Sequence, residues 1–330
     1  MGPYNFKSLF VPALLVMTLL KPLGGQPSDP NSALLKVPGA TIDVILPTET
    51  MKLSHQDLLG WVQGAANAVS SYYGRFPVPH LTLQIRSSNG SGIRHGVTYA
   101  KDGGLILISV GTEADVAETK DDWVLIHEMI HLAFPSMPDD QHWIEEGIST
   151  YVEPVARVRV GLMQVNELWR TFVRDMPKGE PGSGDQGLDN THTWGRTYWG
   201  GAMFCLLADV EIHRRTQNRF GLQDAVRAIA RESGGLTAEW PIARVLETGD
   251  AAVGVPVLEE LYAQMKDAPV TPDLMGLWRK LGVEPDGASV RLVDNAPFAQ
   301  VRRSIMQRRE GLIPAKRTWS SPPSPQAPQG

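Results

Sequence analysis

DDWVLIHEMIHLAF, residues Asp121–Phe134, decides how this chain is read. It contains His127-Glu128-Met129-Ile130-His131, the pattern H-E-x-x-H, inside an apolar run that begins at Trp123 and stops at Pro135. On a helix, side chains four residues apart lie one above the other, so the imidazoles of His127 and His131 can reach one metal ion together. Glu128 sits one residue round from the first histidine, beside the metal without ligating it, where a carboxylate can take a proton from an activated water. Such a pattern also arises by chance on solvated helix faces. Here Val124, Leu125, Ile126, Met129, Ile130, Leu132 and Phe134 leave no polar face except that of His127, Glu128 and His131. A helix apolar nearly all round is buried. Three ionisable groups in a buried helix need partners, and a divalent metal with a bound water satisfies all three.

The chain of 330 residues can bury a large core and fits one sizeable domain or two lobes. A formal net charge of -5 argues against a nucleic-acid partner. Near the start, Lys7 precedes an apolar run from Ser8 to Leu20, followed by Lys21 and Pro22-Leu23-Gly24-Gly25. That run is too short for a comfortable membrane span and reads as a signal-peptide core, with residues 1–25 removed on export. No stable membrane span is expected otherwise. An uncleaved N-terminal anchor is the alternative, because Leu23 stands where a small residue is usual before cleavage. The single cysteine, Cys205, lies among Met203, Phe204, Leu206 and Leu207 and reads as a buried structural residue rather than a nucleophile.

Residues 26–40 are polar, with two prolines ahead of Val37, and read as a linker. Residues 41–120 read as a β-rich lobe. It holds a strand at Thr41–Leu46, a helix at Ser54–Tyr73 capped by Ser54, and strands at Leu81–Arg86, Gly96–Ala100 and Leu105–Val110. Residues 121–285 read as a helical lobe carrying the metal site, with helices at Trp143–Val155, Val165–Met176, Tyr198–Thr216, Gln223–Glu232, Val257–Met265 and Pro272–Leu281. The fold class is therefore α+β: a small N-terminal sheet with one long helix, then a mostly helical half. A glycine-rich loop between Pro177 and Trp194 reads as functional or mobile. Residues 286–315 are a C-terminal extension and 316–330 a low-complexity, disordered tail. The basic pairs Arg302-Arg303, Arg308-Arg309 and Lys316-Arg317 read as a solvated face.

Two histidines do not hold zinc alone; a catalytic site needs a third protein ligand and an open position. Downstream, WIEEGISTYVE at Trp143–Glu153 brings two adjacent carboxylates. At roughly 100° per residue, Glu146, Thr150 and Glu153 share one face of that helix and Ile144, Ile148, Tyr151 and Val155 the other, with Glu145 between. Helix geometry does not choose between the carboxylates, although Gly147 beside Glu146 would let the two helices approach closely. His142 reads as a surface residue, and Asp189 and His192 as solvated loop residues.

HEMIH followed by WIEEGISTYVE resembles the gluzincin metallopeptidases of the peptidase MA-like superfamily. The likeness is to the aminopeptidase and leukotriene-hydrolase group and to the glycyl-aminopeptidase group. The resemblance implies a zincin, thermolysin-like catalytic domain with Zn2+ as cofactor, Glu146 as third ligand and Glu153 as a carboxylate standing behind the ligands. Thr197-Tyr198-Trp199-Gly200-Gly201-Ala202 resembles the family's Y-x-x-G segment, which implies that Tyr198 stabilises the tetrahedral intermediate. The likeness covers roughly Gly96 to Glu211. Fourteen residues separate His131 from Glu146, fewer than in the aminopeptidases, and Gly103–Gly111 lacks the acidic motif by which aminopeptidases hold a free N-terminus. The strand Leu105–Val110 is either the edge strand that pairs with an extended peptide in the resembled fold or an ordinary core strand.

The expected function is an exported zinc metallopeptidase acting on a peptide or protein, with Glu128 as general base and then acid. Tyr198 and the metal would stabilise the oxyanion. Two alternatives are a catalytically silent binding module on the same scaffold and a zinc hydrolase of a non-peptide bond. Two nitrogens and a carboxylate suit zinc best, although cobalt or manganese could fill the same site.

Overall fold

The computed structural model describes residues 31–307. The signal segment at 1–25, the tail at 316–330 and the basic pairs Arg308-Arg309 and Lys316-Arg317 lie outside the described residues. The first half is a five-stranded sheet. Its strands are β1 (Ser32–Val37), β2 (Ala40–Ile45), β3 (His80–Ser88), β4 (Ile93–Tyr99) and β5 (Leu105–Gly111), in the order β1-β2-β3-β5-β4. β2, β3 and β5 run parallel, while β1 and β4 close the two edges antiparallel. Along β3 and β5 burial alternates with the period of a strand. Leu81, Leu83 and Ile85 point into the core beside Ile106, Ile108 and Val110.

The crossover from β2 to β3 is α1 (His55–Tyr73). Its start is fixed by a capping box: Ser54 Oγ accepts from the Asp57 amide at 3.1 Å, and the Asp57 carboxylate accepts from the Ser54 amide at 3.0 Å. Gly74 ends it in the left-handed conformation at φ 85°. Leu58, Val62, Ala65, Ala66, Val69 and Tyr72 form its buried stripe.

Helices follow: α2 (Val116–Asp121), α3 (Val124–His131), α4 (His142–Arg159), α5 (Val165–Asp175), α6 (Gly201–Arg215), α7 (Leu222–Ser233), α8 (Ile242–Val253), α9 (Val257–Met265) and α10 (Leu274–Leu281). A short hairpin of β6 (Val283–Asp286) and β7 (Ser289–Leu292) precedes α11 (Ala299–Met306). α3 packs against β4, α1 and α4. α4 in turn packs along α6. No helix among the described residues is long and apolar enough to cross a membrane.

Three expectations change, and one open alternative is decided. Residues 32–37, read as linker, form β1, because the turn at Pro38-Gly39 (Gly39 φ 83°) folds SALLKV back onto β2. β5 is an interior strand with β3 on one side and β4 on the other, so the sheet edge beside α3 is β4. The loop after α5 is pinned: the Arg196 guanidinium and the Asp185 carboxylate form an ion pair at 2.8 Å with both side chains buried, and the amides of Leu188 and Asp189 donate to Met265 and Lys266. Arg302 is not on a solvated face, for it is buried and donates to the Gly282 carbonyl and to Asp294.

Candidate metal centre

α3 is held at its start by Asp122, whose carboxylate accepts from the amides of Val124 at 2.9 Å and Leu125 at 3.2 Å and from the Trp61 indole at 3.1 Å. This satisfies amides that a helix start otherwise leaves unpaired. Burial raises the Asp122 pKa against these hydrogen bonds. From that anchored end the helix runs almost wholly buried, and it presents His127, Glu128 and His131 towards α4 and β4.

α4 supplies Glu146. Its Oε2 lies 3.0 Å from His127 Nε2 and 3.7 Å from His131 Nε2. One donor atom from each of the three residues falls within 4.8 Å of the others. Donors roughly 2.0–2.1 Å from a zinc ion in tetrahedral directions stand about 3.3 Å apart, so the set fits such an ion. Burial opposes ionisation of Glu146, but the hydrogen bonds from His127, His131 and His142 outweigh it and hold the carboxyl well below the usual range. Burial likewise works against a charged His131, and the hydrogen bond and charge of Glu146 prevail, raising its pKa. Ser149 Oγ lies 3.4 Å from His131 Nδ1, on the side of the ring away from Glu146. A partner there orients an imidazole ligand.

Glu128 faces the edge strand. Thr98 Oγ1 donates to its Oε2 at 2.6 Å and lies 3.0 Å from the Glu128 backbone carbonyl. Gly96 gives the side chain room, since a Cβ there would stand 2.5 Å from Glu128 Cγ. Tyr198 lies in a π-helical turn, Gly195–Gly200, that leads into α6. Its ring stacks with His127 at 6.1 Å between centroids. Burial and then the charges of Glu146 and Glu128 push its pKa up, so the phenol keeps its proton.

The close approach foreseen at Gly147 is real but involves a different pair of helices. A Cβ on Gly147 would run into the backbone of Gly201, so α4 crosses α6 there and sets Glu146 beside the turn that carries Tyr198. Glu153 stands seven residues beyond Glu146, where its carboxylate meets Arg157 at 3.3 Å, and burial pushes its pKa up to about 8. Asp189 is not merely solvated: it accepts from the Trp143 indole at 2.7 Å and from the Tyr262 hydroxyl at 2.5 Å. His192 is exposed. Cys205 is buried, and burial raises its thiol pKa.

Thr98, Gly96, Asp122 and His142 belong to the site without having been singled out for it. His142 is half exposed, as read, yet its ring nitrogens meet Glu145 at 2.6 Å and Glu146 at 3.2 Å. Its spacing, four residues before Glu146 on one helix, was the signal available. Thr98 and Gly96 come from a separate strand, and no local pattern connects them to Glu128.

A parallel-centred sheet, a buried H-E-x-x-H helix against its edge and a glutamate from the next helix define a gluzincin-like α+β fold. No protein-family model matches the sequence, and no curated protein matches it. Solved structures do. An aminopeptidase N family protein from Idiomarina loihiensis superposes with a TM-score of 0.59 at 13% identity, over 76% of this chain and 49% of that one. A variant of the M1 zinc metallopeptidase from Deinococcus radiodurans, with Tyr-Ser-Ala substrate bound, aligns at a TM-score of 0.47 and 10% identity, over 74% and 53%. The chain has the fold of the first and spans about half the length of these structures.

Proposed function

We propose that this chain is an exported zinc-dependent metallopeptidase, with residues 1–25 as its export signal. The observation that carries the reading is the convergence of His127, His131 and Glu146 beside a Glu128 that is not among the donors and is held by Thr98. A zinc ion on those three donors would supply Lewis acidity, lowering the pKa of a water and polarising the scissile carbonyl.

The remaining chemistry falls to the chain. Thr98 occupies Glu128 Oε2, which leaves Oε1 to take the proton of the attacking water and to return it to the departing amine. Tyr198, kept protonated, donates a hydrogen bond to the developing oxyanion. β4 closes the sheet at this end and offers an extended peptide an edge to pair with, a part for which the sequence offered Leu105–Val110 as one of two alternatives. Trp123 and Trp194 are 51% and 56% exposed, and each packs against a site ring, on His127 and on Tyr198 respectively. They supply apolar surface for side chains of a peptide lying there.

The test compares wild type with Glu128→Gln, both loaded with zinc, on a mixture of unstructured peptides followed by mass spectrometry. Cleavage by wild type and a loss of at least roughly a hundredfold in the variant, with zinc retained, is the expected result. Equal cleavage by both proteins contradicts the assignment.

A further inference from the structure

We propose that His142 is a positioning residue that fixes Glu146 for metal binding. The inference rests on the metallopeptidase reading of the site. Glu146 turns Oε2 to the two histidines of α3, so Oε1 must be satisfied elsewhere in a place where the side chain is only 9% exposed. His142 Nε2 lies 3.2 Å from that Oε1. The other ring nitrogen, Nδ1, lies 2.6 Å from Glu145 Oε2, and Glu145 Oε1 accepts from the Met137 amide at 2.9 Å.

These contacts form a single line from the connecting segment to the ligand. The Met137 amide fixes Glu145, Glu145 fixes the imidazole, and the imidazole fixes Glu146. The segment itself is anchored, because the Ser136 amide donates to the Ala238 carbonyl at 2.8 Å and the Trp240 amide donates to the Ser136 carbonyl at 3.3 Å. The shorter spacing between His131 and Glu146 thus comes with its own brace: the connection between the two ligand-bearing helices reaches the third ligand through Glu145 and His142. An exposed histidine paired with a neighbouring carboxylate at helical spacing ordinarily contributes little. This one differs because its second partner is the buried oxygen of a ligand, whose free rotation would let the carboxylate turn away from the two imidazoles.

The experiment measures zinc affinity by competition with a chromophoric chelator for wild type, His142→Ala and His142→Gln, together with the visible spectrum of each protein loaded with cobalt. The alanine variant is expected to bind zinc roughly 10–100-fold more weakly, with a changed cobalt spectrum, as loss of a group that orients a ligand generally does. Glutamine, whose amide can donate to Glu146 Oε1, should recover part of the affinity. The unfolding midpoint of the metal-free alanine variant should fall only slightly and out of step with the loss of affinity, since the imidazole is 52% exposed although its two carboxylate partners lose a donor. Wild-type affinity and an unchanged cobalt spectrum in the alanine variant overturn the proposal. So does a metal-free midpoint that falls in step with affinity, which would mark a purely structural role. A wild type that takes up no zinc removes the metallopeptidase reading itself, and with it this role for His142.

Discussion

Glu128, the proposed general base, is held by residues that carry no chemistry of their own. Thr98 holds one of its oxygens, and Gly96 leaves space for its methylene groups. Replacing Thr98 by Val keeps the shape and removes the hydroxyl. Steady-state kinetics should show kcat reduced about tenfold or more with zinc content unchanged, while Thr98→Ser retains most of the activity. An undiminished kcat in the valine variant would show that Thr98 does not position the base. Glu153 offers a pH test. Burial raises its pKa from 4.5 to about 8, so its contribution to stability is full below about pH 4.5 and is lost as the pH rises towards 8. Unfolding midpoints of the metal-free wild type should therefore fall relative to those of Glu153→Gln between pH 5 and pH 8.5. Parallel midpoints across that interval would contradict the shift. The ligand-bearing residues were legible because H-E-x-x-H states its chemistry in five consecutive positions. Glu146 needed the likeness to gluzincins, since Glu145 beside it is equally acidic. Thr98 was not legible because its partner lies thirty residues away in sequence.

Among the elements, helices with apolar residues at helical spacing over several turns were readable with or without a capping side chain, as α5 and α9 were, whereas the six-residue α2 was not, although Asp115 and Glu118 form a capping box at its start. Ser54 announced α1, and the structure closes a capping box there with Asp57. β1 was hidden by the polar, proline-containing segment in front of it, although Pro38-Gly39 is a turn signal. α8 carries its apolar residues at helical spacing, Ile242, Val245, Leu246 and Val253, but Gly249 in the middle weakens the pattern. That glycine is there because a Cβ would stand 2.5 Å from Leu258 Cδ1 on α9. The crossing of α4 and α6 gives the prediction that belongs here. Gly147→Ala introduces a Cβ against the Gly201 backbone, and neither helix has a flexible side chain at that point to give way. Thermal or denaturant unfolding should show a loss of about 1–3 kcal/mol. Because the same crossing positions Glu146 beside Tyr198, activity should fall with it. An alanine variant of wild-type stability would mean that the two helices can part without cost.

Taken as one body, the described chain places its candidate metal centre where two halves of different character meet. A sheet edge supplies Thr98 and Gly96, two helices supply the ligands, and the π-helical turn before α6 supplies Tyr198. The α+β class followed from the order of strand-like and helical segments. The strand order did not, because whether β5 or β4 forms the edge depends on pairings between distant segments that local patterns do not encode. The fold shared with the aminopeptidase N family protein comes with only 13% identity, so it shows architecture and leaves the chemistry to be measured on this chain. Elemental analysis of the purified protein, beside a His131→Ala control, measures it most directly. About one zinc per chain in wild type and little in the control is the result predicted by three converging donors. A wild type that carries no zinc, and takes up none when zinc is added back, would contradict the metal centre and the peptidase built on it.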